Sequence, residues 1–244
     1  PAPNQLFYTK SGPVTDLIKF NFGNQIFDAN ITAHYYDETT KKFIIECDAP
    51  IKEIKDDAFR GYYGMYQLTS VSLPSQLERI GENAFYINSL REIVIPGSVT
   101  LIGNNAFREN ALRRISFLSG EEELIIENTD VISTDEIGVF LEAEFNYIYV
   151  DRDIRCEDGS GEERTTTPLF YHKGESTDVV EFGPNVTKII NNMFHDCNMK
   201  NLVIPGNITY IERNALTDIK SLEELVFLPN TDGTPLKIDC SDIY

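Results

Sequence analysis

A repeat of 22 residues constrains this chain more than any other feature. The stretch "LTSVSLPSQLERIGENAF", Leu68 to Phe85, aligns with "LREIVIPGSVTLIGNNAF", Leu90 to Phe107, and with "LRRISFL" from Leu112. Leu68, Leu90 and Leu112 stand 22 apart, as do Leu73, Ile95 and Phe117, Ile80 and Ile102, and Ala84 and Ala106. The pair Ala-Phe recurs at Ala58-Phe59, Ala84-Phe85 and Ala106-Phe107. Downstream, "VTKIINNMFHDCNMKNLVIPGNITYIERNALTDIKSLEELVFL" keeps the spacing, with Ile189 and Ile211, and Met193-Phe194 and Ala215-Leu216, again 22 apart. Five copies are readable. A unit this short cannot bury its own apolar face, so neighbouring units must stack and their strands must join in a continuous sheet.

Each copy has a mechanical reading. Ile93 and Ile95 alternate in the period-2 manner of a half-buried strand, and Pro96, which has no N–H to donate, ends the pairing. Pro96-Gly97 turns the chain, Val99 and Ile102 bring it back over the core, and Ala106-Phe107 closes the coil on a short helical or 3₁₀ segment. Alanine lets segments approach and phenylalanine supplies a large apolar plug. The predicted fold class is an α/β repeat: a solenoid of about 22-residue coils, each with one short strand and one short helical or 3₁₀ segment.

Between residues 119 and 184 the pattern weakens. The runs "ELIIE" from Glu123, "FNYIYV" from Phe145 and "DVVEF" from Asp178 are read as continuing the strand ladder through degenerate coils. Phe182 to Ile204 restores the spacing of 22, and Tyr149 to Phe182 is 33, an excess that matches the polar insertion Glu157 to Thr167, "EDGSGEERTTT". The predicted organisation is therefore an N-terminal β-rich cap over residues 1–48, with turns at Ser11-Gly12 and Asp37 to Lys41, and a solenoid over 49–244.

These residues resemble the BspA-like leucine-rich repeats of bacterial cell-surface proteins, whose consensus is close to L-x-x-I-x-I-P-x-x-V-x-x-I-G-x-x-A-F-x-x-C. Leu90, Ile93, Ile95, Pro96, Val99, Ile102, Gly103, Ala106 and Phe107 match it position for position, and Phe194-x-x-Cys197 supplies the cysteine. Ile190 and Glu212 depart from it at the Gly, and Leu216 at the Phe. The resemblance implies a right-handed leucine-rich repeat solenoid, a packing role for Cys197 and an extracellular or cell-surface location. It also implies a role in adhesion or partner binding without catalysis.

Composition narrows the partners. Of 244 residues, 21 are Lys or Arg and 39 are Asp or Glu, a net charge of −18 that repels phosphate backbones and anionic membranes. Nucleic acid is thereby disfavoured. No apolar run approaches the roughly 20 residues that span a bilayer, and the opening Pro1-Ala2-Pro3 reads as a mature or trimmed form. Cys47, Cys156, Cys197 and Cys240 are scattered, leave three pairings open, and read mainly as buried free thiols.

Candidate chemistry is sparse. His34, His172 and His195 are the only histidines, and His195-Asp196-Cys197 falls on the repeat's own Phe-x-x-Cys position, which favours structure over a metal or Cys-His pair. Asp151-Arg152-Asp153 followed by Glu157-Asp158-Gly159 is calcium-loop-like, but Arg155 occupies the fifth position, where an oxygen ligand is required. Glu121-Glu122-Glu123 and Asp56-Asp57 read as solvated faces. Asn30, Asn185 and Asn207 fit the glycosylation sequon, two of them at the repeat's own turn. No catalytic residue, metal ligand or cofactor is assigned.

What remains is surface. Strand positions that point away from the core form an extended face in a solenoid, and these are Ser70, Ser72, Glu92, Val94, Arg114, Ser116, Asn201, Val203, Glu224 and Val226. The insertion "RGYYGMYQ" adds Tyr62, Tyr63 and Tyr66 as aromatic contact area. The functional expectation is a non-catalytic surface or secreted protein that binds a protein, such as host extracellular matrix or another surface protein, in preference to a glycan. Its rival is a structural or spacer module of a larger surface protein with no ligand of its own.

Overall fold

A computed structural model describes residues 1–18, 20, 25–62, 67–127, 139–140, 143–157, 169–170, 179–194, 197–219, 221–230 and 232–239. The chain begins with three antiparallel strands, β1 (Gln5–Lys10), β2 (Ile31–Asp37) and β3 (Lys42–Cys47), ordered β2-β3-β1. After them the coils stack in about six turns, and each coil contributes a strand to each of two parallel ladders rather than to one.

The first ladder holds the strands foreseen from the Leu-x-x-Ile-x-Ile pattern. They are β5 (Leu68–Ser72), β7 (Glu92–Ile95), β9 (Arg114–Phe117), β11 (Tyr147–Val150), β13 (Val179–Phe182), β15 (Asn201–Ile204) and β17 (Glu224–Phe227). Strands β7, β9, β11 and β13 form one parallel sheet, and β15 and β17 another. β5 pairs antiparallel with β1, which ties the N-terminal sheet to this ladder.

The second ladder uses the returning limb of each coil, which the repeat reading had left without a strand. It contains β4 (Glu53–Ile54), β6 (Arg79–Ile80), β8 (Leu101–Ile102), β10 (Leu124–Glu127) and β12 (Ile154–Glu157), then β14 (Lys188–Ile189), β16 (Tyr210–Ile211) and β18 (Lys237–Ile238). "ELIIE" therefore belongs here, since β10 pairs with β8 and β12, and does not extend the first ladder. In the first ladder Phe117 faces Val150, and Val150 faces Phe182, intervals of 33 and 32 residues. The extra chain is thus split between two coils, not placed in one. Glu157 closes β12, and the rest of the polar insertion lies outside the described residues.

The expected helical or 3₁₀ segment is absent among the described residues; tandem turns replace it. Ala84 N–H donates to Gly81 carbonyl and Tyr86 N–H to Asn83 carbonyl, and Ala106 to Gly103 and Arg108 to Asn105 repeat the arrangement. The residue before the Ala-Phe pair or its counterpart takes a left-handed conformation in five coils: Asp57, Asn83, Asn105, Asn192 and Asn214 all have φ between 53° and 57°. Left-handed residues interrupt a right-handed helix after a single turn, and Asn and Asp tolerate that conformation better than other side chains with a Cβ. The Asn of "GENAF" and "GNNAF" was the legible signal for this.

The core is built around a stack of phenylalanine rings, one in each of six successive coils. Phe59, Phe85 and Phe107 are parallel, with centroids 5.3 Å apart at each step. The column then runs through Phe140, Phe170 and Phe194 at 5.9, 6.1 and 5.7 Å. Val139-Phe140 and Leu169-Phe170 therefore fill the Ala-Phe role in the eroded coils. Phe rings at this spacing gain dispersion and quadrupole energy beyond burial alone.

Polar side chains stitch coil to coil at the same depth. Asn110 Oδ1 accepts the Leu90 N–H, and its Nδ2 donates to the carbonyls of Phe85 and Phe107. Asn88 does the same with Leu68, Phe59 and Phe85. These asparagines occupy the Phe-x-x-Cys position, where Cys197 Sγ lies 2.8 Å from the Phe170 carbonyl as its donor. Cys47, Cys156 and Cys197 are all buried. Gly97 is required by proximity, because a Cβ there would lie 1.7 Å from the Ser119 carbonyl oxygen of the next coil.

Candidate binding face

The ten strand-face residues do lie on one side of the first ladder, and the register sorts them into two columns. Glu92, Arg114, Tyr147 and Val179 face one another in succession, and so do Val94, Ser116, Tyr149 and Glu181. Past the break, Asn201 faces Glu224 and Val203 faces Val226. Alternate residues Ile93, Ile115, Ile148, Val180 and Leu202 point inward and are buried. Ser70 and Ser72 continue the columns on β5, where they meet Thr9 and Phe7 of β1.

Four residues of this face were missed: Tyr147, Tyr149, Val179 and Glu181. Their signal was the alternation in "NYIYV" and "VVEF", obscured because the coils that carry it are longer than 22 residues. They form its most organised part. The Arg114 guanidinium sits 4.4 Å from the Tyr147 ring centroid, and the Tyr147 hydroxyl donates to Glu181 Oε2 at 2.8 Å. That bond to a carboxylate, followed by desolvation, raises the Tyr147 pKa above its ordinary value. An arginine held over a tyrosine, beside valines such as Val94 at 50% exposure and Val179 at 47%, is a mixture typical of protein interface cores.

Of the aromatic insertion, Tyr62 is exposed at 46% with Arg60 5.9 Å from its ring, while Tyr63 and Tyr66 lie outside the described residues. His172, His195 and Asp196 also lie outside them. His34 Nε2 is 2.7 Å from the Tyr8 hydroxyl, and Phe20 stacks on its ring; burial lowers its pKa to about 4.

The acidic loop serves the backbone. Asp153 Oδ1 accepts the N–H groups of Thr187 and Lys188, as the Thr187 carbonyl accepts those of Thr209 and Tyr210 one coil later. A carboxylate thus replaces a backbone carbonyl where β12 and β14 fail to pair, and Asp28 does the same for Lys52 and Glu53. Asp151 Oδ1 holds the N–H and side-chain amide of Asn185. Between these aspartates, Arg152 is buried at 2% exposure and donates to the carbonyls of Gly97, Val99 and Glu122. Among the described residues no group of three or more His, Cys, Asp or Glu is placed to hold a metal ion.

The sequon amides are occupied as well. Asn207 Nδ2 donates to the Gly183 and Val186 carbonyls, and Asn30 Nδ2 to Asp48. No helix among the described residues is long and apolar enough to cross a membrane.

Stacked coils, two parallel ladders and a phenylalanine column define a leucine-rich repeat solenoid. The model of the BspA type leucine rich repeat region matches in 6 copies over residues 15–128 and 169–234, well over half the chain. This chain belongs to that family. Among solved structures it is similar to a leucine rich cell surface protein from Faecalibacterium prausnitzii A2-165, with 16% identity and a TM-score of 0.28. That match covers 68% of this chain and 56% of the other, so the chain spans little more than half the length of that protein. No curated protein matches.

Proposed function

We propose that this chain is a non-catalytic binding module of a cell-surface or secreted protein, and that it recognises a protein partner through the outer face of the first ladder. The observation that carries the reading is the pair of in-register columns, with Arg114, Tyr147 and Glu181 locked together at their centre and Val94, Val179 and Val203 exposed around them. Preorganised Tyr and Arg side chains lose little entropy on binding, which suits a contact surface. The family, and the description of the similar structure as a cell surface protein, support the location. The antiparallel sheet of residues 1–48 serves as the cap of the solenoid, covering the core below Phe59.

Partners of this chemistry are host extracellular-matrix proteins or other surface proteins. The test is surface plasmon resonance of the chain against a panel of purified matrix proteins, with Val94→Glu, Tyr149→Ala and Val203→Glu combined in one variant. Binding by wild type that drops at least about tenfold in the variant, equivalent to about 1.4 kcal/mol, supports the face. If wild type binds nothing, or the variant binds equally, the spacer reading replaces this one.

A further inference from the structure

The two ladders treat their arginines differently. On the second, Arg79 of β6 pairs with Glu53 at 2.6 Å and Asp56 at 2.9 Å, and Arg155 of β12 with Glu157 at 2.5 Å and Glu123 at 3.5 Å. The first gathers three exposed arginines from two successive coils, Arg91, Arg113 and Arg114. Their backbones are held together, because the Arg91 carbonyl accepts the N–H groups of both Arg113 and Arg114.

Of these three, only Arg113 pairs with a carboxylate among the described residues, Glu144 at 3.4 Å, with both side chains 59% exposed. Glu92 faces Arg114 in register, yet the Arg114 guanidinium lies over the Tyr147 ring instead. An exposed ion pair contributes little, so the ring, held in place by its hydroxyl bond to Glu181, competes with it successfully. A guanidinium held on a ring face keeps its N–H edge for a planar oxyanion.

We propose that this corner of the outer face receives carboxylates of the protein partner, carried on an acidic segment with an apolar side chain two residues from the acid. This rests on the outer face being the binding surface. Charge selects the acid. In a chain of net charge −18, Arg91 and Arg114 are cations that no carboxylate of the described residues neutralises, so a basic segment meets repulsion here and an acidic one finds its counter-charge. Geometry selects the apolar neighbour. Arg114 stands in one column and Val94, 50% exposed, in the next, two residues along the strand direction. An extended segment running with the strands repeats that spacing on one of its faces. A polyanionic glycan has nothing to set against Val94 and is repelled by the net charge.

Fluorescence anisotropy tests it with a labelled peptide of sequence Glu-Ser-Val-Ser-Glu-Ser-Val, its counterpart with Lys for Glu, and a heparin hexasaccharide. Physiological salt, with a Debye length of about 8 Å, screens the distant carboxylates. The acidic peptide binds, and Arg91→Gln combined with Arg114→Gln weakens it at least about tenfold, with circular dichroism and the urea midpoint retained because both sites are exposed. The Lys counterpart, whatever its affinity for an acidic chain, does not weaken in that variant. Three results overturn the proposal: no binding of the acidic peptide, binding unchanged in the double variant, or arginine-dependent binding of the heparin fragment alone. The matrix panel separates this inference from the reading beneath it. If the Val94, Tyr149 and Val203 variant loses a matrix protein that the double arginine variant still binds at full strength, the outer face stands and the acidic segment falls.

Discussion

Replacing Asn110 by alanine isolates the energy of the polar stitch between coils. Asn110 is 4% exposed, and its amide satisfies three backbone groups: the Leu90 N–H at 3.1 Å, the Phe85 carbonyl at 2.8 Å and the Phe107 carbonyl at 3.0 Å. Asn88 also donates to the Phe85 carbonyl, so Asn110→Ala strands the Leu90 N–H and the Phe107 carbonyl and weakens the third. Each stranded buried group costs about 1–3 kcal/mol, which places the loss at about 3 kcal/mol. Asn110→Cys costs less, about 1–2 kcal/mol, because a thiol there can donate to a carbonyl as Cys197 does to Phe170. Urea unfolding measures the total, and hydrogen exchange at the Leu90 amide reports the local loss directly. The reasoning fails if the alanine variant loses less than about 1 kcal/mol, or if the cysteine variant is the less stable of the two.

Other perturbations follow from the same contacts. Burial holds His34 neutral, with its pKa near 4 against 6.5 unfolded. The unfolded chain therefore binds the extra proton in that window, so the contribution of His34 is complete above pH 6.5 and falls as pH drops toward 4, by about 1–2 kcal/mol once solvent screening of the partly buried ring is allowed for. Subtracting the urea profile of His34→Gln from that of wild type should leave this slope; parallel profiles would rule it out. Arg152→Met removes three carbonyl partners and should lower stability by about 3 kcal/mol, with no rescue by Lys, whose point charge cannot span them. Thermal melts that rank Lys level with Arg would contradict this. Asn105 sits at φ 55°, so Asn105→Val should cost about 1–2 kcal/mol and Asn105→Gly close to nothing, a ranking that calorimetry can check.

The sequence by itself determined that this chain stacks. A 22-residue period with Leu, Ile, Pro, Ala and Phe at fixed places has few other physical solutions, because each unit needs a neighbour to cover its apolar side. The ten outward positions of the regular coils were legible for the same reason: strand side chains alternate, so naming the buried residues names the exposed ones. Phe140, Phe170, Tyr147 and Tyr149 were not legible, since the coils of 33 and 32 residues that carry them hide the period, and only hydrogen-bond register restores it.

Tertiary structure decided the rest. Left-handed φ at Asn83 and Asn105 stops a helix that Ala-Phe alone would permit, and two-residue strands such as Arg79–Ile80 exist because the next coil pairs with them. Asp153 and Asp151 look like ligands in a linear reading, yet in three dimensions their oxygens receive backbone N–H groups from a coil 34 residues away. Local pattern specifies what must be buried; which polar atoms meet across coils depends on chain lengths between them, and that is a property of the packed stack.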